Sequence, residues 1–276
     1  MPILAFAVRL LCVIPARLGS QRLAHKPLRL IAGEPLIRLV ARRVLEFGLD
    51  GRIVVATDDR RVIEALAGLD IEPLLTAADL ASGTERVAQV LAHPAYRGLD
   101  VVVNVQGDEP LIERAAVIGA LERVTRDRDD IGTSAAPLEQ GDLANPNRVK
   151  VAVDGRSRAL GFFRTPRAPA CGRRDAIFRH VGVYAYRAGT LRRWVALPPS
   201  ADEAREGLEQ LRPLTHGMRI GVALLDAPAA PGVDTVADIQ TIEAELAAEL
   251  TPDASSGYRE QPLTPGASPG FTGERG

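Results

Sequence analysis

Short, nearly continuous apolar runs alternate along this chain with stretches that carry apolar residues at helical spacing. No other feature of the sequence constrains the fold as strongly. Leu10 to Ile14, Ile53 to Thr57 and Val101 to Val105 read as strands buried on both faces, and Ile71 to Leu75 as a fourth strand. Between the first two, Leu36, Ile37, Val40, Val44 and Leu45 share one face of a predicted helix, with Pro35 near its first turn and Gly48 as its stop. Arg60 to Ala67 and Thr84 to Leu91 read as further helices. This order predicts an α/β domain built on a parallel sheet with helices on both faces. After Ile112 the pattern changes. A helix near Ala115 to Thr125 leads into candidate strands Ile131 to Pro137, Val149 to Val153, Ala159 to Phe163 and Phe178 to Tyr186, which read as antiparallel or mixed strands appended to the parallel half. Helices at Gly189 to Ala196 and Asp202 to Leu211, a strand near Ile220 to Leu225 and a last helix at Val236 to Leu250 follow, with Asp234 or Thr235 as the last helix's cap.

A chain of 276 residues can bury a large core in one such domain without disulfide staples. Its two cysteines, Cys12 and Cys171, lie far apart without metal-ligand spacing, which fits a reducing compartment. The balance of 34 basic against 35 acidic side chains argues against a nucleic-acid partner. No apolar run reaches the roughly 18 residues of a membrane span. The apolar start is interrupted by Arg9 and lacks a basic leader, so it reads as a strand and not as a signal peptide. Residues 251–276 are dominated by Gly, Pro, Ser and Thr, a composition that predicts a disordered tail. Only two of the 34 basic residues are lysines, Lys26 and Lys150. In so arginine-rich a chain, each either marks a place where a compact point charge has an advantage over a planar guanidinium or stands there by chance, and position must decide.

The segment after the first strand is the most informative. It runs Pro15-Ala16-Arg17-Leu18-Gly19-Ser20-Gln21-Arg22-Leu23-Ala24-His25-Lys26-Pro27-Leu28. Ligands of open α/β sheets bind at the carboxyl ends of the strands. A loop there can offer backbone N–H groups, two arginines and a lysine to a polyphosphate. An exposed basic loop is the plainer reading of the same residues. The segment contains neither the Gly-x4-Gly-Lys-Ser/Thr nor the Gly-x-Gly-x-x-Gly spacing.

The pattern Pro-Ala-Arg-x-x-Ser-x-Arg-Leu-x-x-Lys-Pro-Leu resembles the signature of sugar-acid cytidylyltransferases. It is most similar to that of the CMP-Kdo synthetase (3-deoxy-manno-octulosonate cytidylyltransferase) family. Further blocks follow in that family's order: Ala56-Thr57-Asp58, Ser82-Gly83-Thr84-Glu85-Arg86, Val103 to Pro110, Asn145 to Lys150, Arg179 to Tyr184, Leu208 to Arg212 and Gly232 to Thr235. The resemblance spans about residues 10 to 250. It implies a Rossmann-like nucleotidyltransferase fold of the glycosyltransferase-A-like kind, a mixed sheet with helices on both faces and a smaller antiparallel insertion. It also implies one cytidylyltransferase domain over residues 1–250, with the insertion, about residues 133–195, in dimer contacts. The implied reaction moves CMP from CTP to the anomeric hydroxyl of the 2-keto sugar acid Kdo and releases pyrophosphate. By the same resemblance the enzyme is Mg²⁺-dependent, cytoplasmic and homodimeric, serves lipopolysaccharide biosynthesis, and needs neither nucleic acid nor membrane insertion.

The site residues follow from the matched blocks. Arg17, Gly19, Ser20, Arg22 and Lys26 correspond to the triphosphate loop. Preorganised cations there would suit the charge that develops on departing pyrophosphate. With Asp108, the cations Arg17, Arg22 and Lys26 form the expected catalytic set. Asp108 and Asp234 are the implied Mg²⁺ ligands, hard carboxylates of the kind that ion takes. Read alone, Asp108 is a turn residue before Pro110 and Asp234 a helix cap. Ser82, Gly83 and Arg86 resemble the cytosine-recognition segment, joined by Gln106, although Ser82 or Thr84 serves equally as a helix cap. Gln106, Arg164, His180, Tyr184, Glu209 and Gln210 match the acceptor positions. Arginine suits a carboxylate, and the amide, carboxylate and phenol groups suit a hydroxyl-rich ring. A lone strand histidine such as His180 would otherwise read as a satisfied core residue.

Two segments depart from the family pattern. Phe162-Phe163-Arg164-Thr165-Pro166-Arg167 lacks the usual Ile-Pro-Trp after the arginine, and Pro198 to Glu203 replaces the common Ser-Pro-Leu-Glu. Both lie on the acceptor side, so the resemblance carries cytidylyl transfer further than it carries the acceptor's identity. The alternatives are the 8-amino analogue of Kdo or a sialic-acid-like nonulosonate, whose enzymes share the loop chemistry, although the Arg179 to Tyr184 and Leu208 to Arg212 blocks favour Kdo. A CTP-binding homologue without catalysis is the reading from another class, and intact Lys26, Asp108 and Asp234 speak against it. Lys150 falls inside a matched block with no chemical role attached.

Overall fold

The computed structural model describes residues 8–19, 23–165 and 177–250. Eleven strands and eight α-helices are described. The strands are β1 (Leu10–Ala16), β2 (Leu30–Ile31), β3 (Glu34–Pro35), β4 (Gly51–Thr57), β5 (Glu72–Leu75), β6 (Val101–Val105), β7 (Ile131–Ala136), β8 (Lys150–Val153), β9 (Ala159–Phe163), β10 (Ile177–Arg187) and β11 (Ile220–Leu224). The helices are α1 (Leu36–Glu46), α2 (Arg60–Ala65), α3 (Gly83–Ala92), α4 (Arg114–Thr125), α5 (Ala188–Ala196), α6 (Ala201–Glu206), α7 (Leu211–Thr215) and α8 (Val236–Leu250).

The strand β1 shows why an unbroken apolar run marks a doubly covered strand. Side chains alternate between faces along a strand. Leu10, Cys12 and Ile14 join a core with α1, α2, α4 and α8, whereas Leu11 and Val13 join a second core with α3, α5 and α7. Strand β1 pairs in parallel with β4 on one side and β6 on the other, which puts the loop after it at the middle of one sheet edge. The Cys12 thiol sits fully inside the first core, where burial pushes its pKa up to about 12. Cys171 and the tail at 251–276 lie outside the described residues.

The expected strands after Ile112 are present, but they are not an appendage. The sheet order is β11-β7-β10-β6-β1-β4-β5, and β7 and β11 run parallel to each other. Only β10 is reversed within this path, antiparallel to both β6 and β7. The hairpin β8–β9 is the small antiparallel insertion, attached through Ile177–Arg179 at the start of β10. The eleven residues of β10 suffice for both tasks, and a register shift between Val181 and Tyr184 separates them. A bulge of this kind bends a strand and re-aims its side chains. The single helix expected over Asp202 to Leu211 is two helices. Gly207 adopts a left-handed conformation (φ 63°) that ends α6 before α7 begins. Among the described residues, no helix is long and apolar enough to cross a membrane.

Candidate active site

One cavity of about 640 Å³ opens at the sheet edge where β1 and β6 end. Its lining includes Arg17 and Lys26 from the loop after β1, Ser82, Gly83 and Arg86 around the start of α3, and Gln106 and Asp108 after β6. Arg164, His180, Tyr184, Glu209, Gln210 and Asp234 complete the expected set around the same space. Gly19 is not among the lining residues, and Ser20 and Arg22 lie outside the described residues.

Lys26 sits at the start of a 3₁₀ turn, Lys26–Leu28, entered through His25 in a left-handed conformation (φ 55°). Its ammonium donates to Asp108 Oδ2 at 2.6 Å and to Asp234 Oδ1 at 2.9 Å. Burial works to lower the Lys26 pKa, but Asp108 and Asp234 together hold it above its ordinary value. The backbone ties the two acids as well, since Val233 N–H donates to Asp108 O at 2.8 Å. The capping question is resolved here. Asp238 Oδ2 accepts from the N–H groups of Asp234 and Thr235, and Thr235 Oγ1 accepts from Asp238 N–H. The reciprocal cap is therefore Thr235 with Asp238, and the Asp234 side chain is turned to Lys26. No cluster of three or more metal-ligating side chains occurs among the described residues. Two carboxylates converging on one cation nevertheless match the donor set Mg²⁺ takes when phosphate oxygens complete its shell.

On the second wall, Ser82 is the N-cap of α3, with Oγ accepting from Glu85 N–H at 3.2 Å. Arg86 is almost fully buried. It donates to Thr76 Oγ1 and to Ala77 O, and it lies 3.5 Å from Asp58. Asp58 Oδ1 in turn accepts from Leu18 N–H at 3.0 Å, so Arg86 and Asp58 brace the loop that carries Arg17. The capping and bracing roles are thus both occupied, and both residues still border the cavity.

The far wall is aromatic. His180 meets Phe162 edge-on at 5.2 Å and lies 5.4 Å from Tyr184, which contacts Trp194 at 6.1 Å. Desolvation pulls the His180 pKa down to about 3, so the ring is neutral at ordinary pH. Thr133 Oγ1 lies 2.9 Å from His180 Nε2 and 2.7 Å from Val183 O. Burial, then Glu209, drives the Tyr184 phenol upward in pKa, so it remains a protonated donor. Arg164 lines the cavity and is anchored to the chain around it. Its Nε donates to Glu206 O and its Nη1 to Pro146 O, both at 3.1 Å.

Between these walls lies Glu109, whose carboxyl is pushed up to about 8 by burial and then by Asp108. A Cβ added at Gly232 would lie 2.9 Å from Glu109 Oε1, and one at Gly182 would lie 3.2 Å from it. At both positions a side chain would push Glu109 aside. Arg179, buried, donates to Ala229 O at 2.7 Å and Ala230 O at 2.9 Å, which pins the loop leading to Asp234.

A family model described as cytidylyltransferase matches residues 11–220. The chain belongs to the cytidylyltransferase family. The 3-deoxy-manno-octulosonate cytidylyltransferase of Gemmatimonas aurantiaca is 46% identical over 235 residues, covering 83% of this chain and 91% of that protein. The enzyme of the same name from Methylococcus capsulatus is 44% identical over 250 residues, covering 85% and 95%. A solved structure of CMP:2-keto-3-deoxy-manno-octonic acid synthetase complexed with CTP is 37% identical. It superposes with a TM-score of 0.79 over 88% of this chain and 100% of that one. In this cytidylyltransferase, Glu109 and Arg179 both stood inside matched blocks of sequence without a role. The sequence places a charge at the end of an apolar strand in each case, but the glycines that make room for Glu109 come from elsewhere in the chain.

Proposed function

We propose that this chain transfers CMP from CTP to the anomeric hydroxyl of Kdo, forming CMP-Kdo and pyrophosphate. The observation that carries the reading is the meeting of Lys26 with Asp108 and Asp234 in a cavity that is also lined by Tyr184, His180, Glu209 and Gln210. The relatives' names and their coverage of nearly the whole domain support it. Asp108 and Asp234 would hold Mg²⁺, which when bound polarises the α-phosphate and lowers the pKa of the attacking hydroxyl. Arg17, Arg22 and Lys26 hold the triphosphate, with Gly19 and Ser20 in the same loop. They stabilise the charge that grows on the leaving pyrophosphate. Ser82, Gly83 and Arg86 border the base, and Gln106 lies between the two substrates. Tyr184, Glu209, Gln210 and His180 orient the sugar acid, and Arg164 meets its carboxylate. Holding the hydroxyl in line converts an encounter of two substrates into one step within a complex. We place the enzyme in the cytoplasm as a homodimer, with the insertion at about residues 133–195 in the contact, serving lipopolysaccharide biosynthesis.

Pyrophosphate release from CTP and Mg²⁺, measured across Kdo, its 8-amino analogue and sialic acids, tests the reading. Turnover is expected with Kdo, and Asp108→Asn should lose Mg²⁺-dependent turnover while keeping its far-ultraviolet circular dichroism. Release at the wild-type rate from Asp108→Asn, or a preference for a sialic acid, overturns it.

A further inference from the structure

The other lysine, Lys150, is fully buried at the first position of β8, where β9 and β10 both flank it. Its ammonium donates to Asn145 O at 2.9 Å, to Arg148 O at 2.7 Å and to Arg164 O. Three N–H groups thus meet three backbone carbonyls, and no carboxylate lies within ion-pair distance among the described residues. A buried charge without a counter-ion is costly unless every donor is satisfied, and here every donor is.

The three carbonyls belong to two separate segments that reach the cavity. Asn147, Arg148 and Val149 line it from the loop before β8, and Arg164 lines it from the chain after β9. The brace is crossed, because the Arg164 guanidinium reaches back to Pro146 O. It extends to the aromatic wall through His180 N–H, which donates to Val149 O at 2.9 Å. Neither tethered segment carries Arg17, Lys26, Asp108 or Ser82.

We propose that Lys150 is a positioning residue for the acceptor: its ammonium locks the loop at 145–149 and the chain at Arg164 into the wall that receives the sugar acid. The inference rests on the reading that this wall faces the sugar acid and the opposite one CTP. A lysine suits the task because three carbonyls arrive from different directions, whereas a guanidinium offers its donors in one plane.

The experiment compares wild type with Lys150→Met and Lys150→Arg. It reads kcat, both KM values, and Kdo and CTP titrations followed by fluorescence of Trp194, the chain's single tryptophan, which lines the cavity. Unsatisfied carbonyls in Lys150→Met should raise the KM and Kd for Kdo on the order of tenfold. Lys150→Arg, which keeps the charge and can reach two of the carbonyls, should raise them roughly threefold. KM for CTP and kcat at saturating Kdo should stay within about twofold of wild type in each variant. If Lys150→Met does not fold, Lys150→Arg decides alone. An unchanged KM for Kdo, or equal rises for both substrates, overturns the proposal. A wild-type enzyme that accepts no sugar acid overturns the proposed function instead.

Discussion

Replacing Lys26 by methionine removes the cation shared by Asp108 and Asp234 while keeping most of the side chain's volume. The wild-type ammonium makes charge-assisted hydrogen bonds of 2.6 and 2.9 Å to the two acids, and its side chain is 12% exposed. Each such bond contributes about 1.5–3 kcal/mol. Relief of the ammonium's own desolvation offsets part of that, and two acids left facing each other add to the loss. The net destabilisation is about 2–4 kcal/mol. For a domain of this size that lowers Tm by roughly 5–15 °C. The same reasoning predicts a rescue. Mg²⁺ can take the position vacated by the ammonium in Lys26→Met but must displace it in the wild type. A concentration tenfold above the variant's Kd restores about 1.4 kcal/mol. The assay is thermal unfolding of both proteins without nucleotide, in chelator and across a Mg²⁺ titration, read by Trp194 fluorescence and circular dichroism. Equal Tm values in chelator would refute the electrostatic account. A Mg²⁺ response no larger in Lys26→Met than in wild type would refute the shared position of lysine and metal.

His180 and Asp129 give two further tests. His180 has a native pKa near 3 against about 6.5 unfolded, so the unfolded chain gains the proton first as pH falls and stability drops below pH 6.5. That drop amounts to about 2 kcal/mol at pH 5. Unfolding free energies of His180→Gln should therefore fall less than those of wild type between pH 7 and 5, and parallel curves would contradict the assignment. Asp129 is enclosed between Arg123 at 2.8 Å and Arg158 at 2.9 Å, and its side chain has no exposure. Asp129→Asn should cost about 3 kcal/mol in urea unfolding by leaving Arg158 without its counter-charge and Arg123 with only Asp127. It is not among the cavity-lining residues, so both KM values should be unchanged, and a shifted KM would show coupling that the geometry does not contain.

The elements with strong local signals were legible from the chain, and their partners were not. The runs that became β1 and β6 announce burial on both faces, and burial on both faces is a property of the run itself. Nothing local in Ile177–Arg187 says that it enters the main sheet between β6 and β7, because pairing is chosen by residues far away in sequence. Gly207 illustrates a different miss. A helical period runs through it, and only its left-handed backbone divides the segment. At the site, residue types were legible and their couplings were not. Lys26 stands 82 positions from Asp108 and 208 from Asp234, so its chemistry read as a partner for phosphate alone. Arg164 shows the converse: an arginine of the right type at a matched position commits two of its nitrogens to backbone carbonyls.

The scarcity of lysine acquires a physical meaning from these contacts. Arginine carries charge almost everywhere else in the chain, including the buried site of Arg179, where two carbonyls are met by a planar fork. At the two lysine positions the acceptors come from separate segments and converge on one atom. Lys26 receives a carboxylate from the turn after β6 and another from the loop before α8, and Lys150 receives three carbonyls from two loops. A guanidinium would spread its charge over three nitrogens and pull those acceptors apart, whereas an ammonium draws them to a point. At Lys26 the same point is where a small hard cation would sit. At Lys150 the converging atoms are backbone, so the result is a fixed wall. Substitution by arginine should therefore be damaging at both, through metal and phosphate at Lys26 and through the acceptor's KM at Lys150.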